Sequence, residues 1–340
     1  MATVEIDPSS ETYGQFAKLY RIARRQFPSA VDRWNGKLCA TVGEGRNWGS
    51  LQRDGSFKLS KELVLDRLAA GTPPHKQVQA LTTVLHESLH ARVEVDAPLE
   101  PNAVPSQHSQ ALDEGLTEWV AVDGVAVFAD EAGYGQLPDA VPEYSQVYCA
   151  TELLLEYAAG TDRAQELADR AIDAPVVMRW DVIADEIVKN HLGTTVPPDP
   201  LHRQAARAEL IQAMTRPEWL DVHQTQANVG AAVAQETTQA IGAAADRIRE
   251  HYLQNPGTPY PAENPNFRVA RSAYQHVGGP QERMVSHGEL RFLTGTAPAS
   301  GATSQRPELR DGERAAGRTA VPLGKAVAGP DSRGSGSAGG

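Results

Sequence analysis

The residues best suited to carry out chemistry form a short run, H-E-S-L-H, at residues 86–90 of a 340-residue chain. Residues four apart lie one above the other on a helix face, so His86 and His90 can bind one Zn²⁺ through their imidazole nitrogens. Glu87 follows the first of these ligands and can act as the general base for a metal-activated water. The run therefore predicts two ligands and the base of a catalytic zinc site.

The helix that must carry this run is predicted from its apolar stripe. Val78, Leu81, Leu85 and Leu89 recur at helical spacing between residues 75 and 93. The alternative is that the two histidines are ordinary surface residues, since the run also arises by chance. A strongly apolar helix favours the zinc interpretation, because a zinc helix is buried beneath its active cleft.

A second acidic segment, L-D-E-G-L-T-E-W at residues 112–119, resembles the glutamate-bearing helix of the gluzincin branch of the zincin metalloproteases. The resemblance covers roughly residues 38–159. It implies Glu114 as the third zinc ligand, and Glu118, one turn later, as the carboxylate that orients a ligating histidine. The alternative is that Glu114 and Glu118 belong to a solvated acidic face.

Two other residues compete with Glu114 for the third ligand position. Asp96 lies six residues after His90, where metzincins place their third ligand. That geometry needs a glycine turn, and the β-branched Val93 stands where the glycine is needed. Asp113 is the other candidate, since aspzincins use aspartate. Glu114 is preferred because its segment is closer to the gluzincin pattern.

The resemblance also implies an oxyanion-stabilising donor and an edge strand for substrate. Many gluzincins use a Tyr or His to stabilise the developing charge. Tyr144 is the best candidate, with Tyr148 and His108 as alternatives, although a packing role is open for each of them. Residues 56–59 are the candidate edge strand, beside which an extended peptide would add to the sheet. The alternative is an ordinary hairpin strand that pairs with residues 50–52.

The elements around these residues predict an α+β fold that is predominantly helical. Short strands at residues 37–42, 50–52 and 56–59 give a small N-terminal sheet, and helices are expected at residues 11–25 and 60–70. From residue 75 onward the pattern is mostly helical. The expected architecture is a zincin-like domain with a small sheet, an active-site helix and a helical lower half.

Composition excludes several classes of protein. The net charge of −11 argues against a general nucleic-acid binder, because such proteins need a basic face for phosphates. Two cysteines cannot build a disulfide scaffold. No apolar run of membrane-spanning length and no signal peptide is visible, so we expect a cytoplasmic protein with no membrane partner, with export by a signal-independent route left open.

Domain organisation is predicted from shifts in composition. Residues 1–215 are expected to form the zincin-like metallopeptidase domain, residues 216–300 a helical accessory region, and residues 301–340 a disordered tail. A long Ala- and Gln-rich helix at about residues 224–252 is expected to pack on the body, on a second copy or on a partner protein. The helix and tail are therefore the candidate partner-binding region.

The combined expectation is a zinc-dependent hydrolase that cleaves peptide bonds in a peptide or protein substrate. Two alternatives share the same residues. The first is a zinc-containing binding or scaffold protein without turnover. The second is a dedicated proteolytic effector or processing enzyme with one protein target.

Overall fold

In a computed structural model, the structure describes residues 2–43, 47–220, 222, 227–263 and 265. The predicted tail at residues 301–340 lies outside these described residues. So does most of the stretch from residue 255 to residue 300. The architecture of the described chain is α+β and mostly helical, which confirms the predicted fold class at this coarse level.

One four-stranded sheet lies near the N-terminus, in the spatial order β1-β2-β4-β3. Its strands are β1 (Ala2–Glu5), β2 (Leu38–Val42), β3 (Gly49–Leu51) and β4 (Phe57–Ser60). β2 is parallel to β4 and antiparallel to β1, whereas β3 is antiparallel to β4. β1 and β3 are therefore the two edge strands of the sheet.

The described chain contains eight α-helices. Their bounds are α1 (Glu11–Gln26), α2 (Pro74–His90), α3 (Ser106–Ala132), α4 (Ser145–Ala159), α5 (Ala164–Asp173), α6 (Arg179–His191), α7 (Pro200–Met214) and α8 (Ala227–Gln254). α2 packs against α3, and α3 packs against α4. Among the described helices, none is long and apolar enough to cross a membrane.

The local structure differs from the prediction in three places. Residues 61–70 form turns and a short 3-10 helix, Leu65–Leu68, rather than the α-helix predicted over residues 60–70. The candidate edge strand at residues 56–59 corresponds to β4, which is paired on both sides, so the edge-strand prediction is wrong and the alternative of a hairpin strand is confirmed. β1 was not predicted at all, because each of its four residues is exposed and so leaves no apolar alternation.

The apolar core joins the sheet, the central helices and α8. Phe16, Tyr20 and Trp34 pack edge-on around Phe57 beneath the sheet. At the other end of the chain, the stripe of α8 belongs to the same continuous core. α8 packs mainly on α4 and α7. The predicted long helix is thus confirmed, and within this chain it packs on the body.

Candidate metal centre

α2 and α3 pack side by side and bring the predicted ligands to one point. His86 and His90 lie in the last turns of α2, and Glu114 lies in the third turn of α3. The two Nε2 atoms are 3.1 Å apart. Glu114 Oε2 is 3.2 Å from His86 Nε2 and 3.7 Å from His90 Nε2. Three donor atoms therefore converge from two helices.

The other nitrogen of each imidazole is held by a carboxylate. Glu118 Oε2 lies 2.8 Å from His86 Nδ1, and Asp113 Oδ2 lies 3.4 Å from His90 Nδ1. A carboxylate at Nδ1 accepts a hydrogen bond, so it favours the tautomer that carries its proton there. Both Nε2 atoms then present lone pairs to the point where Glu114 also presents its oxygen. In these neutral tautomers, the two Nε2 atoms and the Glu114 oxygen are three acceptors that face one another, and a cation between them would stabilise this arrangement.

The donor set fits zinc. Tetrahedral Zn²⁺ with ligand distances of about 2.0–2.1 Å places its donor atoms about 3.3 Å apart. The three observed separations, 3.1, 3.2 and 3.7 Å, lie close to that value. Two imidazole nitrogens with one carboxylate oxygen is also a donor set used by catalytic zinc sites, which keep one position open. The side chains present could therefore hold a metal ion, and zinc as that ion stays a prediction.

The electrostatics of the centre favour positive charge. Burial disfavours the charged form of His90, but the carboxylates of Asp113 and Glu114 outweigh this and raise its pKa to about 10. Glu114 and Glu118 likewise outweigh burial and raise the pKa of His86 well above its usual value. Burial alone would raise the pKa of Glu114, yet the two histidines hold it well below its usual range. The neighbouring carboxylates therefore favour positive charge on both imidazoles.

Glu87 lies on the sheet side of α2 and contacts the edge strand. Its Oε2 accepts a hydrogen bond of 2.7 Å from the backbone N–H of Leu51 in β3. A Cβ added at Gly49 would lie 3.0 Å from Glu87 Oε1 and 2.9 Å from the side chain of Leu59. Burial raises the pKa of Glu87. The carboxylate is thus held by β3 and has a proton affinity suited to acid–base transfer.

Of the three oxyanion candidates, Tyr144 is the one placed at the site. It precedes α4, lines the same small cavity as His86 and Glu87, and its ring centroid is 6.1 Å from that of His86. Tyr148 instead stacks on Trp119, with a centroid separation of 5.3 Å. His108 packs near Trp180, whose indole N–H donates to the His108 carbonyl.

The two alternative ligands lie elsewhere. Asp113 faces Nδ1 of His90 rather than the converging Nε2 atoms, and its second oxygen pairs with Arg179. Asp96 is exposed beyond the end of α2 and is not part of the converging group. Within the described chain, the three-residue group is His86, His90 and Glu114.

A segment without regular secondary structure covers the site. Residues 135–144, which we call the closing segment, connect α3 to α4. The backbone N–H of Glu143 donates to Glu118 Oε1 at 2.6 Å, and the Glu143 carboxylate is hydrogen-bonded to Trp48, beside β3. The space left beside His86 and Glu87 is about 20 Å³, which is room for about one water. The cleft beside the site is therefore narrow.

Several residues that shape the site carry no signal in the sequence. Gly49, Trp48 and Glu143 come from a short strand and a loop whose spacing matches no pattern. Gly115, by contrast, is part of the D-E-G segment and allows α4 to approach α3, because an added Cβ would lie 2.0 Å from Thr151 Oγ1. The position of Gly115 within the D-E-G segment is therefore the sequence signal that can identify it.

Comparison of the chain with protein-family models, curated protein sequences and solved structures finds no significant match. The geometry of the site is therefore the basis for a proposal about function.

Proposed function

We propose that this protein is a zinc-dependent metallopeptidase of the gluzincin-like kind. The observation that carries the proposal is the convergence of two Nε2 atoms and one carboxylate oxygen, with each Nδ1 held by a further carboxylate. A single buried ion pair needs only two groups, whereas here two imidazole nitrogens and a carboxylate oxygen meet at one point. A helix that also carries a buried glutamate next to the first histidine supports a hydrolytic role.

His86, His90 and Glu114 are the residues that would hold Zn²⁺. When bound there, the ion supplies Lewis acidity, which makes water a stronger acid and polarises a carbonyl oxygen. Glu118 and Asp113 keep the two imidazoles oriented with their Nε2 atoms directed inward. They also increase ligand basicity by accepting the Nδ1 protons.

Glu87 is the proposed general base and acid. Its Oε2 is fixed by the Leu51 N–H, which leaves Oε1 to take a proton from the attacking water. As the water oxygen bonds to the carbonyl carbon and the C–N bond breaks, the same carboxyl delivers that proton to the leaving amine. The raised pKa of Glu87 reduces the free-energy difference between its two protonation states near neutral pH.

Tyr144 is the proposed donor to the oxyanion. Burial, followed by the charges of Glu114 and Glu87, raises the pKa of its phenol, so the O–H stays protonated and able to donate. A donor aimed at charge that develops during the reaction lowers the barrier more than it strengthens ground-state binding. Replacing Tyr144 by Phe is therefore expected to lower kcat more than it changes KM.

β3 is the proposed docking edge for substrate. It is one of the two edge strands of the sheet, and its Leu51 N–H already contacts the Glu87 carboxylate. An extended peptide that pairs with this edge passes beside the base with few demands on its side chains. Movement of the closing segment must precede such pairing, because the present cavity holds about one water.

The experiment that tests this function maps new N-termini in a cell lysate. Lysate treated with zinc-loaded wild type is compared with lysate treated with Glu87→Gln, which keeps the shape of the side chain and the zinc ligands. We expect cleavage by the wild type alone, with equal zinc content in both proteins. Identical termini after both treatments would contradict the metallopeptidase proposal.

A second candidate, a zinc-binding protein without turnover, is favoured by the narrow cleft. Glu143 is hydrogen-bonded to Glu118 beside the opening, and the space next to Glu87 has room for about one water rather than a peptide. This candidate predicts one bound zinc and no new termini in any lysate.

A dedicated processing enzyme with one target predicts a single new terminus, because only that target would open the closing segment.

A further inference from the structure

Arg179 is a fully buried cation close to the metal centre. It is the first residue of α6, and 0% of it is exposed. Its guanidinium forms an ion pair with Asp113, and its Nη2 donates to the Ile172 carbonyl at 3.3 Å. A buried charge is costly unless it is paired and hydrogen-bonded. The position of Arg179 is therefore determined by Asp113 on one side and by the end of α5 on the other.

Asp113 links this arginine to a candidate ligand. One carboxylate oxygen pairs with Arg179, and the other lies 3.4 Å from His90 Nδ1. Arg179 makes this contact through Nη1, and its Nη2 is fixed by the Ile172 carbonyl, so the planar guanidinium is held in one orientation beside the carboxylate. With one oxygen fixed by Arg179, the second stays directed at His90.

Glu118 shows the same arrangement on the other histidine. Its Oε2 holds His86 Nδ1, and its Oε1 accepts the backbone N–H of Glu143. In each case the second oxygen of the supporting carboxylate has its own partner. The partner of Glu118 is a backbone amide. The partner of Asp113 is the side chain of Arg179, which begins α6, three helices later in the chain.

We propose that Arg179 is a positioning residue of the metal centre, acting on His90 through Asp113. The inference rests on the proposed zinc site. Loss of Arg179 frees the Asp113 carboxylate to rotate, so that His90 Nε2 is less well directed at the ion. Loss of such supporting contacts weakens metal binding by about 10–100-fold in known sites.

The test is a double-mutant cycle read out as zinc affinity. Apo protein competes for Zn²⁺ with a chromophoric chelator, for wild type, Arg179→Met, Asp113→Asn and the double variant. We expect Arg179→Met to weaken zinc binding by about tenfold or more when Asp113 is present. In the Asp113→Asn background the same change should alter affinity by less than about twofold, because the link is already lost. Equal effects in both backgrounds, or none, would overturn the inference.

Two controls separate positioning from a general structural role. Arg207 pairs with Asp181 of the same helix, α6, at 2.8 Å, so Arg207→Met should lower stability without changing zinc affinity. Arg179→Lys keeps the charge without the planar group and should restore part of the affinity lost in Arg179→Met. If Arg179→Met does not fold, the lysine variant takes its place in the cycle, with the same dependence on Asp113 expected.

Cobalt substitution gives a second readout that stability does not affect. The visible spectrum of Co²⁺ reports ligand geometry, so Arg179→Met should shift it and Arg207→Met should not. An unchanged spectrum in Arg179→Met would contradict the proposal. Absence of zinc binding by the wild type would overturn the proposed function and this inference together, whereas zinc binding without coupling would overturn this inference alone.

Discussion

The tautomer of each candidate ligand is determined by single contacts at its Nδ1 atom. Glu118 and Asp113 each hold one Nδ1, and the Nε2 atoms consequently face Glu114. The same carboxylates raise the pKa of both imidazoles, because they stabilise positive charge next to them. The chemistry of the site therefore depends on two imidazoles and three carboxylates. A bound divalent ion would offset most of the negative charge of the carboxylates.

Zinc affinity should increase steeply with pH. In the metal-free protein the neighbouring carboxylates raise the pKa of His86 well above its usual value and that of His90 to about 10, which favours protonation of both imidazoles. Zinc needs the neutral form and must displace those protons. Lowering the pH therefore weakens binding, by up to about a hundredfold per unit when two protons leave.

Calorimetry in buffers of different ionisation enthalpy measures the protons released per zinc. We expect between one and two near pH 7. An affinity that does not change between pH 6 and pH 8 would contradict the assignment of both histidines as ligands.

Gly49 should matter for hydrolysis but not for zinc binding. An added methyl group would lie 3.0 Å from both Cγ and Oε1 of Glu87, so Gly49→Ala must displace the carboxylate. Small displacements of a catalytic group can lower rates by up to about a hundredfold. Steady-state kinetics with metal analysis should show kcat reduced by about tenfold or more at full zinc content. Unchanged kcat would indicate that the position of Glu87 is not critical.

At the scale of elements, the centre depends on the close packing of α3 and α4. Gly115 has no side chain, and Thr151 Oγ1 and the Val147 carbonyl would lie 2.0 and 2.8 Å from an added Cβ. Gly115→Ala should therefore separate the two helices, at a cost of about 1–3 kcal/mol in unfolding free energy, and should also weaken zinc binding through Glu114.

Gly242 is the matched control for Gly115. It also lies within a helix, α8, but nothing lies within 4 Å of its added Cβ. Gly242→Ala should be neutral or stabilise the protein by up to about 1 kcal/mol, because alanine favours helix. Denaturant unfolding compares the two variants. Equal unfolding free energies for Gly115→Ala and Gly242→Ala would show that α3 and α4 are not packed as closely at Gly115 as the distances indicate.

The closing segment is the element that controls access to the site. Trp48→Phe removes the indole N–H that binds the Glu143 carboxylate while keeping an aromatic ring. The segment should then open more often, and a chelator should remove zinc several-fold faster. Trp34→Phe is the control, because the Trp34 indole donates to the Lys37 carbonyl away from the site. Equal removal rates for the two variants would contradict closure by this contact.

At the scale of the whole molecule, one apolar core connects the sheet, the site helices and α8. Val233, Ile241 and Ile248 of α8 belong to the same core as the sheet residues Leu38 and Phe57. Trp219 extends the connection, since its indole donates to Thr237 of α8 at 3.0 Å. The domain boundary at residue 215 remains a prediction, but the described residues on both sides of it share a core.

Periodicity predicted the helices well, because each long helix buries a regular apolar stripe. Helical spacing predicts that His86 and His90 share a face of α2, whereas Glu114 is implied only by the gluzincin resemblance of its segment. The edge strand could not be predicted, because strand order depends on contacts distant in sequence. Arg179 could not be predicted for the same reason, as it lies 66 residues from Asp113 and joins it only through the packing of α6 on α3.

The central claim is that His86, His90 and Glu114 bind one zinc ion. The most direct measurement is the metal content of protein purified at neutral pH without chelator, for the wild type and for His86→Ala, His90→Ala and Glu114→Ala. The account predicts about one zinc per chain in the wild type and nearly none in the three variants, with the fold retained. A metal-free wild type, or zinc that persists in all three variants, would contradict it.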